Sequence, residues 1–132
     1  MKSKTELLNQ LMGLHPKYID LSLKRLEKLL NKLGDPHKKL PITIHFAGTN
    51  GKGSTLSFLK NLLINNNYSV HSYTSPHLFN FNERICINNK QITSKKLYSC
   101  LEFVRKINAN NPITFFEITT AAAFVLFAKH KA

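Results

Sequence analysis

The sequence predicts part of an α/β domain built around a phosphate loop, with parallel strands flanked by helices and a small β-hairpin. Three observations carry this. An apolar-alternating run, Ile42-Thr43-Ile44-His45-Phe46, stops at a turn of Gly48, Thr49, Asn50, Gly51, Lys52 and Gly53, and Ser54-Thr55 then open a helical pattern. A second run suited to a pleated surface, Ser69 to Tyr73, follows that helix. The strand–helix–strand order implies parallel pairing through a right-handed crossover, with the ligand at the carboxyl ends of the strands.

The loop comes first because its residues carry chemistry. Glycines let successive backbone N–H groups point inward, a helix N-terminus adds about half a positive charge, and Lys52 adds a whole one. A serine or threonine beyond the lysine can reach a phosphate-bound Mg²⁺. The spacing departs from G-x-x-x-x-G-K-[ST], which would need glycine at Phe46 and a hydroxyl at Gly53; the variant present is G-T-N-G-K-G-S. A bare turn between strand and helix needs one or two glycines and has no use for a lysine between them.

The elements follow in chain order. Thr5 to Met12 is a short helical pattern closed by Gly13 and Pro16. In the second helix Leu23, Leu26, Leu29, Leu30 and Leu33 share a face, Asp20 is placed to cap it, and Gly34 and Pro36 stop it. Leu56, Leu59, Leu62 and Leu63 extend the loop helix to about Asn65, and Asn66-Asn67 turns the chain. Thr74 to Asn82 is a polar, aromatic-bearing loop reaching Glu83-Arg84. Arg84 to Ile87, the turn Asn88-Asn89 and Gln91-Ile92 read as a hairpin. A helix from Ser94 turns Leu97, Cys100, Leu101, Val104 and Ile107 inward. The last element, Thr114 to about Ala128, has too few polar positions for a surface helix and is expected to lie against a sheet.

Composition bounds the function. At 132 residues the chain is one domain at most, and it has no run of about 18 apolar residues, so no membrane partner is expected. The amino terminus lacks the apolar centre of a signal peptide, and Cys86 and Cys100 have neither zinc spacing nor nearby histidines; a reduced cytoplasmic setting is the simplest reading. The net charge of +12 raises nucleic acid as a partner. Against it, basic residues are scattered as singles and pairs, and sixteen of nineteen are Lys in an Asn-rich chain, the composition an AT-rich coding sequence produces. No nucleic-acid partner is expected.

GTNGKGS, YTSPHLFNFNERI and TFFEITTAAAF, together with KYIDLSLKRLEKLLNKLG, resemble the amino-terminal part of bacterial folylpolyglutamate synthase/dihydrofolate synthase, a Mur-ligase-like family of ATP-dependent amide ligases. The resemblance covers nearly the whole chain. It implies residues 1–40 as a helical lead-in and 41–132 as a core fragment of the ATP-binding domain, without the carboxy-terminal domain. It further implies ATP and Mg²⁺ as cofactors, folate or pteroate and glutamate as substrates, and an acyl phosphate on the folate-side carboxyl that the glutamate amine attacks.

Site residues are implied position by position. Gly48, Thr49, Asn50, Gly51, Lys52, Gly53 and Ser54 would cradle the phosphates, with Lys52 as the catalytic cation. Ser75 matches a Mg²⁺-ligating serine, and Ser54 competes for that role. Tyr18, Ile19, Asp20 and Leu21, with Thr114, Phe115 and Phe116, match regions that contact the pteroate part of the substrate.

Each has a plainer reading beside it. Asp20 serves equally as an N-cap, Thr114 and Glu117 form a capping box, Phe115 and Phe116 are core in part, and His77 either touches substrate or anchors its loop. His45 reads as structural, and Glu83 with Arg84 as a pair at the loop's exit. The resemblance also implies that the acidic Mg²⁺ ligand, a histidine ligand, a carbamylated lysine and the glutamate-binding domain lie outside this chain. Two strands are thin cover for so apolar a final helix, so exposed apolar surface is expected, together with a complementing polypeptide that supplies the rest. A stand-alone nucleotide-binding fragment without catalysis is the alternative, and a basic nucleic-acid-binding protein a weaker one.

Overall fold

The computed structural model describes residues 4–14 and 22–132. Five helices and one small sheet appear in the order α1 (Lys4–Met12), α2 (Lys24–Lys32), α3 (Lys52–Asn65), β1 (Ser72–Tyr73), β2 (Ile85–Ile87), β3 (Lys90–Gln91), α4 (Ser94–Asn108) and α5 (Phe115–Ala128).

Helix α5 is the centre. Its sequence FFEITTAAAFVLFA has almost no polar face, and residues 117–123 and 125–127 are all buried. It packs on α1, α2, α4, the 3-10 turn Pro36–Lys39 and β2, so helices cover it more than the sheet does. The T-x-x-E capping box forms as its spacing predicts: Glu117 N–H donates to Thr114 Oγ1 (3.2 Å) and Thr114 N–H to Glu117 Oε2 (2.8 Å). Helix α4 lays Leu97, Cys100, Leu101 and Val104 against it, with Ile107 half-buried. Burial pushes the Cys100 thiol up to about 11.

Helix α2 buries Leu29 and Leu30, but Leu23 is its N-cap and is 66% exposed, so the expected five-leucine stripe loses its first member. The helix begins at Lys24 with Leu23 at its N-cap and, among the described residues, no side-chain cap bond; Asp20, expected to cap it, lies outside the described residues. Its far end is a Schellman arrangement: Asp35 N–H reaches Leu30 O (2.9 Å) and Gly34 N–H reaches Asn31 O (3.1 Å), with Gly34 at φ 78°.

The hairpin is as expected, with Asn88 and Asn89 both at positive φ (48° and 67°) between β2 and β3. The parallel pair is not formed. Strand β1 pairs antiparallel with β2, Ser72 opposite Cys86, giving the order β1-β2-β3. Among the described residues nothing pairs with 42–46, which join no sheet. A strand is a property of two segments, and alternation in one cannot supply the other. Among the described residues, no helix is long and apolar enough to cross a membrane.

Candidate functional site

The glycine-rich turn does what its residues allow. Gly48 stands at φ 151° and Gly51 at φ 74°, and Gly51 is the N-cap from which α3 starts at Lys52. A Cβ on Gly51 would meet nothing within 4 Å, so glycine is needed there for its backbone angle and not for room. The first intrahelical bond is Thr55 N–H to Gly51 O (2.9 Å), and Thr55 Oγ1 donates to the same oxygen (2.9 Å). The amides of Lys52, Gly53 and Ser54 therefore sit in the first turn, where no helical carbonyl precedes them.

Lys52 folds back across this turn. Its Nζ donates to Gly48 O at 2.5 Å and to Thr49 O at 3.4 Å, which leaves one of three ammonium donors unused. Every residue from Gly48 to Thr55 is exposed. The arrangement presents backbone N–H groups, a helix N-terminus and an ammonium on one short segment, the donor set an oligophosphate needs.

The metal question divides. Ser54 and Ser75 are both exposed hydroxyls, and among the described residues no three His, Cys, Asp or Glu side chains gather where they could hold a metal ion. The donors present fit a Mg²⁺ carried by phosphate oxygens and water, with at most a serine added; they do not make a protein-built cage.

The loop after β1 is held from inside by one carboxylate. Glu83 accepts N–H bonds from Leu78 (2.9 Å), Phe79 (3.2 Å) and Asn80 (2.7 Å). The Asn80 and Leu78 amides hold its carboxyl below the usual range. This corrects the expected Glu83–Arg84 pair, because Arg84 turns instead to His77 Nδ1 (Nε, 2.9 Å) and lies 5.0 Å above the Phe81 ring. His77 thereby anchors its loop. Leu78 and Phe79 remain 85% and 88% exposed at the tip, and Ser75 precedes them at a cis Ser75–Pro76 bond.

A third cluster gathers round the start of α5. Tyr73 and Phe116 stack at 6.4 Å and 24°, and Phe116 keeps half its surface exposed. Thr119 and Thr120 hydroxyls donate to Phe116 O (3.0 and 2.7 Å), and Tyr73 OH, 3.3 and 3.2 Å from them, has one proton to give to either. Phe115 is half-buried against Phe81 (5.4 Å), and Thr114 is buried with its hydroxyl spent on the capping box.

Of the expected residues, those from Gly48 to Ser54 form one continuous turn, and Phe116 shares a stack with Tyr73, which the sequence reading had not singled out. Tyr18, Ile19, Asp20 and Leu21 lie outside the described residues. His45 is exposed. Glu83 as the loop's anchor was also missed, although an acid three residues after Asn80 at a loop exit is a readable signal.

Comparison with known proteins agrees with this geometry. A scan of protein-family models finds no match. The dihydrofolate synthase/folylpolyglutamate synthase of Bacillus subtilis is 39% identical over 117 residues, which are 83% of this chain and 27% of that protein. The solved structure of Escherichia coli FolC in complex with DHPP and ADP matches with a TM-score of 0.88 at 32% identity, over 95% of this chain and 30% of that one. A bifunctional folylpolyglutamate synthase/dihydrofolate synthase with Mn, AMPPNP and L-glutamate bound matches with a TM-score of 0.85 at 30% identity, over 96% and 30%. The chain thus spans a little over a quarter of the length of the curated relatives it matches.

Proposed function

We propose that this chain, similar in sequence and fold to the dihydrofolate synthase/folylpolyglutamate synthases over about a quarter of their length, supplies the phosphate-gripping part of an ATP-dependent amide-bond ligase of folate metabolism. On this reading residues 1–40 are a helical lead-in and 41–132 a core fragment of the ATP-binding domain, its amino-terminal portion. The supporting observation is the Gly48–Ser54 turn, with its two positive-φ glycines and Lys52 ammonium at the mouth of α3.

The reaction sets the roles. A carboxylate resists attack by an amine, so its oxygen is first phosphorylated, and phosphate then leaves as glutamate adds. Lys52 and the first-turn amides would hold the transferring phosphate and offset its charge. Mg²⁺, when bound, would neutralise phosphate oxygens, with Ser54 and Ser75 as its candidate side-chain ligands. The exposed Phe116 ring, steadied by Tyr73, would offer a flat apolar surface to the pteroate part of the substrate. Thr114 and His77 are then positioning residues, since their polar atoms serve α5 and the loop. Tyr18 to Leu21 keep their implied place at the same substrate. The alternative reading, a nucleotide-binding fragment without catalysis, draws support from the lack of an acidic metal cluster among the described residues.

Calorimetry with ADP and Mg²⁺ on this chain tests the proposal. Binding is expected, and Lys52→Ala should weaken it at least about tenfold, near 1.4 kcal/mol. Because Lys52 is exposed and bonds only to its own loop, the variant should unfold with wild-type stability. Equal affinity in both proteins would overturn the reading.

A further inference from the structure

The start of α4 and the end of α5 border a groove of about 560 Å³, within the size range of small-ligand sites. Lys95 and Lys96 line it from the first turn of α4, and Lys129 and His130 line it from the end of α5. Among the described residues no carboxylate lines it. The ion pairs Arg25–Glu117, Lys38–Asp35 and Arg105–Glu102 include none of its lysines.

Two details set this groove apart from a solvated lysine surface. The first turn of a helix disfavours cations, yet α4 places two lysines and no acid there. That placement costs the free chain stability, and an anion bound between the lysines offsets the cost. The cations are also held in place. A carbonyl only accepts, so His71 Nε2–H donates to His130 O (3.1 Å) and His130 Nδ1–H donates to Leu126 O (2.7 Å). The His130 Nε2 lone pair is thereby left for Lys96, whose Nζ donates to it at 3.1 Å. Lys129 Nζ sits 5.5 Å above the Phe103 ring, which is also part of the groove. Two ammonium groups are thus positioned by neutral partners that leave their charge uncompensated.

We propose that this groove is a further anion site, for an oligophosphate, at the opposite end of α5 from Phe116 and roughly 20 Å from it. Lysine offers a compact point charge with three donors, and the groove holds no arginine fork of the kind that matches a planar carboxylate. Three ammonium groups exceed the charge of a monoanion, so linked phosphates suit the groove better than one. The site stands whether or not the glycine turn takes a nucleotide.

The test is a titration of the full chain with inorganic pyrophosphate at about 0.15 M salt, followed through its amide resonances. Those of residues 93–96 and 129–130 should shift together and saturate. The double variant Lys96→Gln, Lys129→Gln should weaken binding at least about tenfold and keep its helical circular dichroism, since both side chains are exposed. Lys24→Gln, Lys39→Gln removes the same charge outside the groove and should bind like the parent. Lys52→Ala should do so too, which separates this site from the glycine turn. In that background, ADP moving the same amides would name a nucleotide tail as the source of the phosphates. Pyrophosphate alone moving them would name a free oligophosphate. Shifts scattered over the chain without saturation, or equal weakening in the two double variants, would overturn the proposal.

Discussion

Arg25 and Glu117, 92 residues apart, meet in a two-point ion pair, Nε to Oε2 at 3.2 Å and Nη2 to Oε1 at 3.1 Å. The carboxylate is nearly buried, with 7% of its side chain exposed, and the same group closes the capping box of α5. The pair therefore pins α2 to the end of α5 from which Phe115 and Phe116 project. Removing one partner of a buried pair costs roughly 3–5 kcal/mol, and the 21% exposure of Arg25 argues for the lower side of that range or below it. Arg25→Ala is expected to lower the urea-derived stability by about 2–3 kcal/mol. A change under about 0.5 kcal/mol, the size of an ordinary surface substitution, would show the pair to be ornamental.

Gly53 separates fold from ligand. It lies within α3, and an added Cβ would meet nothing within 4 Å. Gly53→Ala should therefore firm the helix by about 0.4–1 kcal/mol. If a phosphate approaches the first-turn amides, the same methyl should weaken ADP binding several-fold. Helicity by circular dichroism and affinity by calorimetry should move in opposite senses; a variant that improves both would place the ligand elsewhere.

The anchor of the loop after β1 is pH-dependent. Amide donors from Asn80 and Leu78 depress the Glu83 carboxyl below its ordinary value of 4.5. A group with a depressed folded pKa contributes stability that is present above 4.5 and is lost as pH falls through the folded value. The amide resonances of Leu78, Phe79 and Asn80 should thus shift together in one acid transition centred below 4.5. In Glu83→Gln that transition should vanish, and its persistence would reassign it to another group.

The two turn asparagines of the hairpin should respond differently to glycine. Both pay the left-handed penalty of about 1–2 kcal/mol, though asparagine bears it better than most residues. Asn88 makes one exposed side-chain contact, to Ser69 Oγ at 3.2 Å, whereas Asn89 accepts from Val70 N–H (2.8 Å) and donates to Tyr68 O (3.3 Å). Asn88→Gly is expected to leave thermal stability unchanged or slightly raised, and Asn89→Gly to lower it by about 1 kcal/mol through the lost stitches. The reverse order would mean that backbone strain outweighs those bonds.

What could be read from the residues alone was whatever neighbours in sequence decide. The glycine turn, the start of α3, the Asn88-Asn89 hairpin and the Thr114–Glu117 cap all depend on contacts within five residues, and all appear. The chain as a whole also matches the FolC fold that its motifs suggested, over 95% of its length. Distant partners decide the rest. Alternation in 42–46 could not say whether a second strand lies beside it, nothing local marks Arg25 for Glu117, and a leucine at position 23 looks no different from one at 26 until the helix start is fixed.

Helix α3 buries no side chain and contributes none to the core cluster, so it is expected to melt apart from the helical block. A ligand raises a melting point only through the unit that unfolds with its site. ADP gripped at Lys52 would leave the main heat-absorption peak of the helical block almost where it was. Dye-based melting screens would consequently score a true binder as silent, and only a probe placed on the glycine turn itself would register it.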